Sequence, residues 1–137
     1  MFRDTSFSIT YTVRKTPPLN KAVFANTLLE MKEKILGKGN KYELSVAIIG
    51  TKRMRTLNKR YRNIDKPTDI LSFPISENEG QIFINPEYSV REARKFNRSY
   101  ANFLYFLFIH GCVHLKGHDH GAKMEKLEEG YRKHFKI

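Results

Sequence analysis

Residues 99–115, SYANFLYFLFIHGCVHL, form the longest stretch of this chain without a Lys, Arg, Asp or Glu, closed by Arg98 and Lys116. So apolar a run must be taken out of water. It is shorter than the roughly 20 residues that span a bilayer, and Asn102, His110 and His114 interrupt it. The run therefore predicts a buried helix in a soluble, cytoplasmic protein. The opening MFRDTSFSIT carries Asp4 and lacks the continuous apolar region of a secretory signal. A chain of 137 residues, 40% apolar and 28% charged, can surround such a helix with one core without staples. Its single cysteine, Cys112, excludes a disulfide scaffold, a Cys-rich zinc finger and a CxxC redox site.

The other elements follow from period and punctuation. Phe7, Ile9, Tyr11 and Val13 alternate with polar residues, as do Tyr42, Leu44, Val46 and Ile48, which predicts two strands. Pro17 and Pro18 follow the first. Residues 20–36 read as a helix with Phe24, Leu28, Met31 and Ile35 inward and Gly37 as its left-handed cap. Thr51 is expected to cap a second helix ending near residue 62, with Met54, Leu57 and Tyr61 buried. Residues 70–73, before Pro74, and residues 82–84 read as two further strands. Asn85-Pro86-Glu87 is a helix start with a cap, an N1 proline and a first-turn acid. That third helix runs to about residue 96, the apolar helix to about 116, and a last amphipathic helix starts near Gly121. No repeat or linker divides residues 1–137, so they are taken as a single domain. Helical connections imply that the first three strands run parallel, and the short link at 75–81 implies a hairpin and an antiparallel fourth strand. The expected fold is a single α+β domain: a mixed four-stranded sheet, three strands parallel and one antiparallel, with about five helices.

Four of the five histidines fall within HGCVHLKGHDH, residues 110–120. His110 and His114 lie one helical turn apart and about 40° apart around the axis, a spacing suited to chelation. Gly117 can end the helix and turn the chain back, so that His120 supplies a third ligand. Three imidazoles with an open fourth position describe a catalytic zinc site, in which a bound water becomes acidic. Cys112 points about 200° away from His110 and belongs to the packing. His118 is either a competing ligand or a pocket wall, and Asp119 either orients an imidazole or caps the last helix. The offsets match those of HExxHxxGxxH metalloproteases, but Gly111 stands where their general-base glutamate belongs, which argues against peptide hydrolysis.

The chain carries 25 Lys and Arg against 14 Asp and Glu, a formal net charge of +11, which favours a polyanionic partner. Lys52, Arg53, Arg55, Lys59, Arg60 and Arg62 place six cations in eleven residues with no acid among them. Arg91, Arg94, Lys95 and Arg98 form a second basic stretch. A run of this kind is often only a solvated face; beside the PTD segment, residues 67–69, it is read as phosphate-binding.

HGCVHLKGHDH is similar to the HGxLHLxGxDH signature of the YbeY endoribonucleases, and LNKRYRNIDKPTDILSFP resembles that family's second conserved segment. The resemblance implies a small α+β fold and one zinc ion per chain held by His110, His114 and His120. It implies a catalytic role for Arg62, the arginine of the YR pair. It further implies a metal-dependent endoribonuclease acting on single-stranded RNA, with ribosomal RNA and the small ribosomal subunit as partners and neither membrane nor DNA. The implied task is maturation of the small-subunit rRNA 3′ end and ribosome quality control. Val113 replaces a usual leucine, His118 a usual tyrosine and Gln81 a common aspartate. No general base stands out: the metal-activated water itself, Asp119 and His118 are candidates, and the RNA 2′-hydroxyl is an alternative nucleophile. A zinc-stabilised RNA- or ribosome-binding module, and a metal-dependent hydrolase of another substrate, are the competing readings.

Overall fold

The computed structural model describes residues 6–13, 19–38, 41–117 and 121–137. The order of elements is β1 (Phe7–Tyr11), α1 (Lys21–Leu36), β2 (Glu43–Ile48), α2 (Thr51–Arg62), β3 (Ile70–Ser76), β4 (Glu79–Ile84), α3 (Pro86–Lys95), α4 (Tyr100–Leu115) and α5 (Ala122–Phe135). One four-stranded sheet runs in the order β1-β2-β4-β3. The α+β class, the five helices and the mixed sheet are as expected.

The antiparallel strand is a different one. β4 runs parallel to β2 with Val46 opposite Ile82, and β3 runs antiparallel to β4 at the edge. The hairpin fixes only the relative direction of β3 and β4. Residues 63–69 after α2 are long enough to carry the chain past the site beside β2, so β3 takes the edge and β4 returns to the middle. The edge position also lets β3 run through Pro74 to Ser76, beyond the expected stop at Phe73, with a register shift between Pro74 and Ser76. A proline without an N–H is tolerated at an edge.

Alternation splits the sheet into two faces. Phe7, Leu44, Val46, Ile48, Ile82 and Ile84 join Phe24, Leu28, Met31 and Ile35 of α1 and Leu104, Phe108, Ile109, Cys112 and Val113 of α4 in the main core. On the other face, Leu71, with Phe73 and Phe83 at its margin, packs with Ile49 and Met54 under α2 in a much smaller cluster. The apolar helix is thus buried as its composition demands. No helix among the described residues is long and apolar enough to cross a membrane. Lys32 lies on the buried side of α1, with its Nζ 2.8 Å from Ser6 Oγ.

Capping follows the sequence reading at α3, where Asn85 accepts from the Tyr88 N–H, and Asn20 and Ser99 accept from a first-turn N–H at α1 and α4 in the same way. At α2 it does not. Gly50 takes the cap position, and Thr51 instead donates to Glu87 Oε2 at 2.8 Å and accepts from Asn85 Nδ2 at 3.1 Å, tying the starts of α2 and α3 together. Tyr61, expected to be buried, is 58% exposed. Asn58 is buried in its stead, donating to the Lys66 carbonyl at 2.9 Å and holding the 63–69 link against α2.

Candidate active site

His110 and His114 sit in the last two turns of α4, on the side that reaches past the edge strand β3. Their ring centroids are 4.8 Å apart and the rings nearly perpendicular, at 86°. They line one cleft of about 530 Å³ with Arg62, the last residue of α2, and with Thr68, Asp69, Ile70, Leu71, Ser72 and Phe73. Because α4 and α2 pack on opposite faces of the sheet, this cleft wraps around the β3 edge. Histidines from one face and an arginine from the other meet there.

Gly111 is what lets the histidines come this close to the strand. A Cβ built at Gly111 would lie 2.8 Å from Ser72 Oγ and 3.1 Å from the Cδ1 atoms of both Ile70 and Ile82. No side chain fits at that contact, still less the glutamate of a metalloprotease. The missing general base therefore has a packing cause. Cys112 is fully buried in the main core, and burial pushes its thiol up, consistent with packing and not ligation.

The imidazole of His110 is oriented by a residue that the sequence did not single out. Glu128, on α5 and 7% exposed, accepts a hydrogen bond from His110 Nδ1. A carboxylate on Nδ1 fixes the tautomer and directs Nε2 to a metal, the arrangement common to histidine metal ligands. A signal was present: Met124, Glu128, Tyr131 and Phe135 recur at 4-3-4 spacing on α5, which puts an acid in an apolar stripe.

Two imidazoles one turn apart, one of them braced by a carboxylate, form a donor set suited to zinc. His120, the third expected ligand, lies outside the described residues together with His118 and Asp119. His134 is exposed on α5, its ring edge-on to Phe135.

Asp69 is the carboxylate that lines the cleft among the described residues. Burial raises its pKa above the ordinary value, with Glu92 adding to the effect and the Ile70 N–H opposing it. Its Oδ1 accepts from the Thr68 hydroxyl at 3.4 Å, and its carbonyl accepts from Asn85 N–H at 2.9 Å. Arg62 is exposed and makes no ion pair among the described residues.

All six cations of α2 are exposed. Arg55 is engaged in a two-pronged bond to Asp65, at 2.8 and 3.2 Å. In the second basic stretch Arg98 is a structural residue: its guanidinium lies 4.5 Å from the Phe106 ring centroid and donates to the Ile137 carbonyl at 2.9 Å. Arg91 and Lys95 are exposed on α3, as is Arg94.

A family model described as "Endoribonuclease YbeY" matches residues 10–136. The endoribonuclease YbeY of a Nitratiruptor species is 37% identical over 117 residues, covering 80% of this chain and 81% of the relative. Those of Thermodesulfovibrio yellowstonii and Aquifex aeolicus are 38% and 42% identical, over 63% and 64% of this chain and 62% and 63% of their own length. The chain thus matches slightly under two thirds of the latter two relatives. A solution structure from Thermotoga maritima aligns with a TM-score of 0.64 and 25% identity over 95% of this chain and 91% of that one.

Proposed function

This chain belongs to the endoribonuclease YbeY family, and from that premise we propose that it is a zinc-dependent endoribonuclease cutting single-stranded RNA in the β3-edge cleft. The observation that carries the proposal is the meeting of His110, His114 and Arg62 in that cleft. His110, His114 and His120 would hold one zinc ion. When bound there, zinc supplies Lewis acidity toward water or a phosphoryl oxygen.

The protein's own groups divide the remaining work. Arg62 presents a planar fork of donors to a non-bridging phosphate oxygen, and its fixed charge offsets the negative charge that builds in the transition state. Its place at the C-terminal end of a basic helix lets the rest of α2 hold flanking phosphates. Glu128 keeps the His110 ring from turning. Asp69, which lines the cleft with Arg62 and the histidines and whose carboxyl burial holds above its ordinary pKa, is placed to take the proton of the attacking oxygen. That oxygen comes from water or from the RNA 2′-hydroxyl, and the products distinguish the two: a 2′,3′-cyclic phosphate is formed only by the 2′-hydroxyl.

Within the cell the same reading makes ribosomal RNA the substrate, the small subunit the partner and the cytoplasm the place of action, in 3′-end maturation and ribosome quality control. The net charge of +11 supports a polyanionic partner of this kind. The test is cleavage of an end-labelled single-stranded RNA by zinc-loaded protein, beside a duplex of the same sequence. Cleavage of the single strand alone supports the proposal. Intact RNA that stays bound to zinc-loaded protein would replace it with the binding-module reading.

A further inference from the structure

Next to the cleft, three aromatic rings follow one another along the α2 face of the sheet. Tyr61 meets Phe73 with centroids 5.3 Å apart at 60°, and Phe73 meets Phe83 at 5.9 Å and 73°. Phe73 itself lines the cleft with Arg62 and the histidines. Tyr61 is 58% exposed, so a large aromatic side chain stands in water against Phe73 of the cleft wall. Guanidinium groups flank the row, Arg60 5.5 Å from the Tyr61 ring centroid and Arg53 6.0 Å from that of Phe83. Helix α2, which carries Tyr61, has six basic residues and no acidic one.

Exposed aromatic faces set among cations are what a single nucleic-acid strand requires. The cations follow its phosphates, and the rings stack on bases that are not already stacked in a duplex. Resting on the endoribonuclease reading, we propose that Tyr61 and Phe73 form a nucleobase platform for the residue beside the scissile phosphate. The platform makes the cleft select single-stranded RNA over duplex, because paired bases offer it no open face. An acidic polypeptide would match the charges but leave the rings without a partner.

The chain has no tryptophan, so Tyr61→Trp installs a lone reporter at an exposed position. Zinc-loaded Tyr61→Trp protein is titrated with a 2′-O-methyl oligonucleotide, with an abasic strand of equal length and charge, and with polyglutamate. The base-bearing strand should quench the indole fluorescence and the other two should not. Native protein should bind the base-bearing strand roughly ten-fold more tightly than the abasic one. Tyr61→Ala should lose that ratio and Tyr61→Phe should keep it. Equal affinity of native protein for the two strands, or equal quenching by polyglutamate, would overturn the platform. Cleavage of unmodified RNA is scored separately: protein that cuts RNA while its reporter is blind to bases refutes the platform alone, and protein that cuts no RNA refutes the activity.

Discussion

Helix α4 buries nine of its residues, whereas α2 buries two, Met54 and Asn58. The two pack on opposite faces of one sheet and both deliver side chains to the same cleft, but in opposite ways. His110 and His114 are held by a helix that cannot move without disturbing the main core. Arg62 and Tyr61 end a helix whose polar side is almost wholly in water. The proposed metal ligands need fixed geometry, and the proposed surface for a flexible polyanion needs exposed charge and rings; the two faces of the sheet differ in just that way. Substitutions on α4 should therefore be felt by the fold, and those on the outer side of α2 by substrate alone.

The strongest break of that contrast comes from α4. Phe108 is fully buried and packs edge-on against Phe7, with centroids 6.4 Å apart. Phe108→Ala should destabilise the domain by about 3–5 kcal/mol in denaturant titration; a loss below about 1 kcal/mol would mean that α4 is not the pillar described. A step smaller is Glu128→Gln, which keeps shape and removes the carboxylate. Zinc affinity, read by chelator competition, should fall by about 10- to 100-fold with secondary structure unchanged. Unchanged affinity would detach α5 from the site.

Asp69 lies at the seam between the faces, and its prediction is one of pH. Its folded pKa is raised above the ordinary 3.8, so the stability it contributes is present below that value and is lost as pH rises through the folded one. Asp69→Asn should thus raise the melting temperature at pH 7, with the gain shrinking to nothing below about pH 3.8. A gain that persists in acid would contradict burial as its cause. The smallest effect belongs to Arg55→Ala on the outer side of α2. The Arg55–Asp65 pair is solvent-exposed, so circular dichroism melts should be indistinguishable from native protein; a clear loss would show that the outer side of α2 bears on the fold.

The same contrast explains which parts were legible in the sequence. The core-facing helix within residues 99–115, the strands at Phe7 and Leu44 and the helix start at Asn85-Pro86 follow from local pattern, and all are present. His110, His114 and Arg62 stand out by residue type, spacing and family resemblance, and the cleft unites them. What local pattern could not carry was long-range pairing. The direction of β3 depends on how residues 63–69 route the chain, and no periodicity records that. Tyr61 shares the spacing of Met54 and Leu57, yet by its turn the small cluster of this face has given way to solvent. Glu128 escaped notice, and Asp69 was named only as part of the PTD segment, because an acid on an amphipathic helix, or before a strand, looks ordinary until the fold buries it.

Zinc and Arg62 are held to act separately in one cleft. The most direct measurement is therefore zinc content and single-strand cleavage on the same samples of native, His114→Ala and Arg62→Ala protein. One zinc per chain is expected in native and Arg62→Ala protein and none in His114→Ala. Cleavage is expected in the native protein, with Arg62→Ala lowered by about 10²–10³-fold. Arg62→Ala protein that cuts at the native rate, or His114→Ala protein that keeps both its zinc and its activity, would contradict that division of labour.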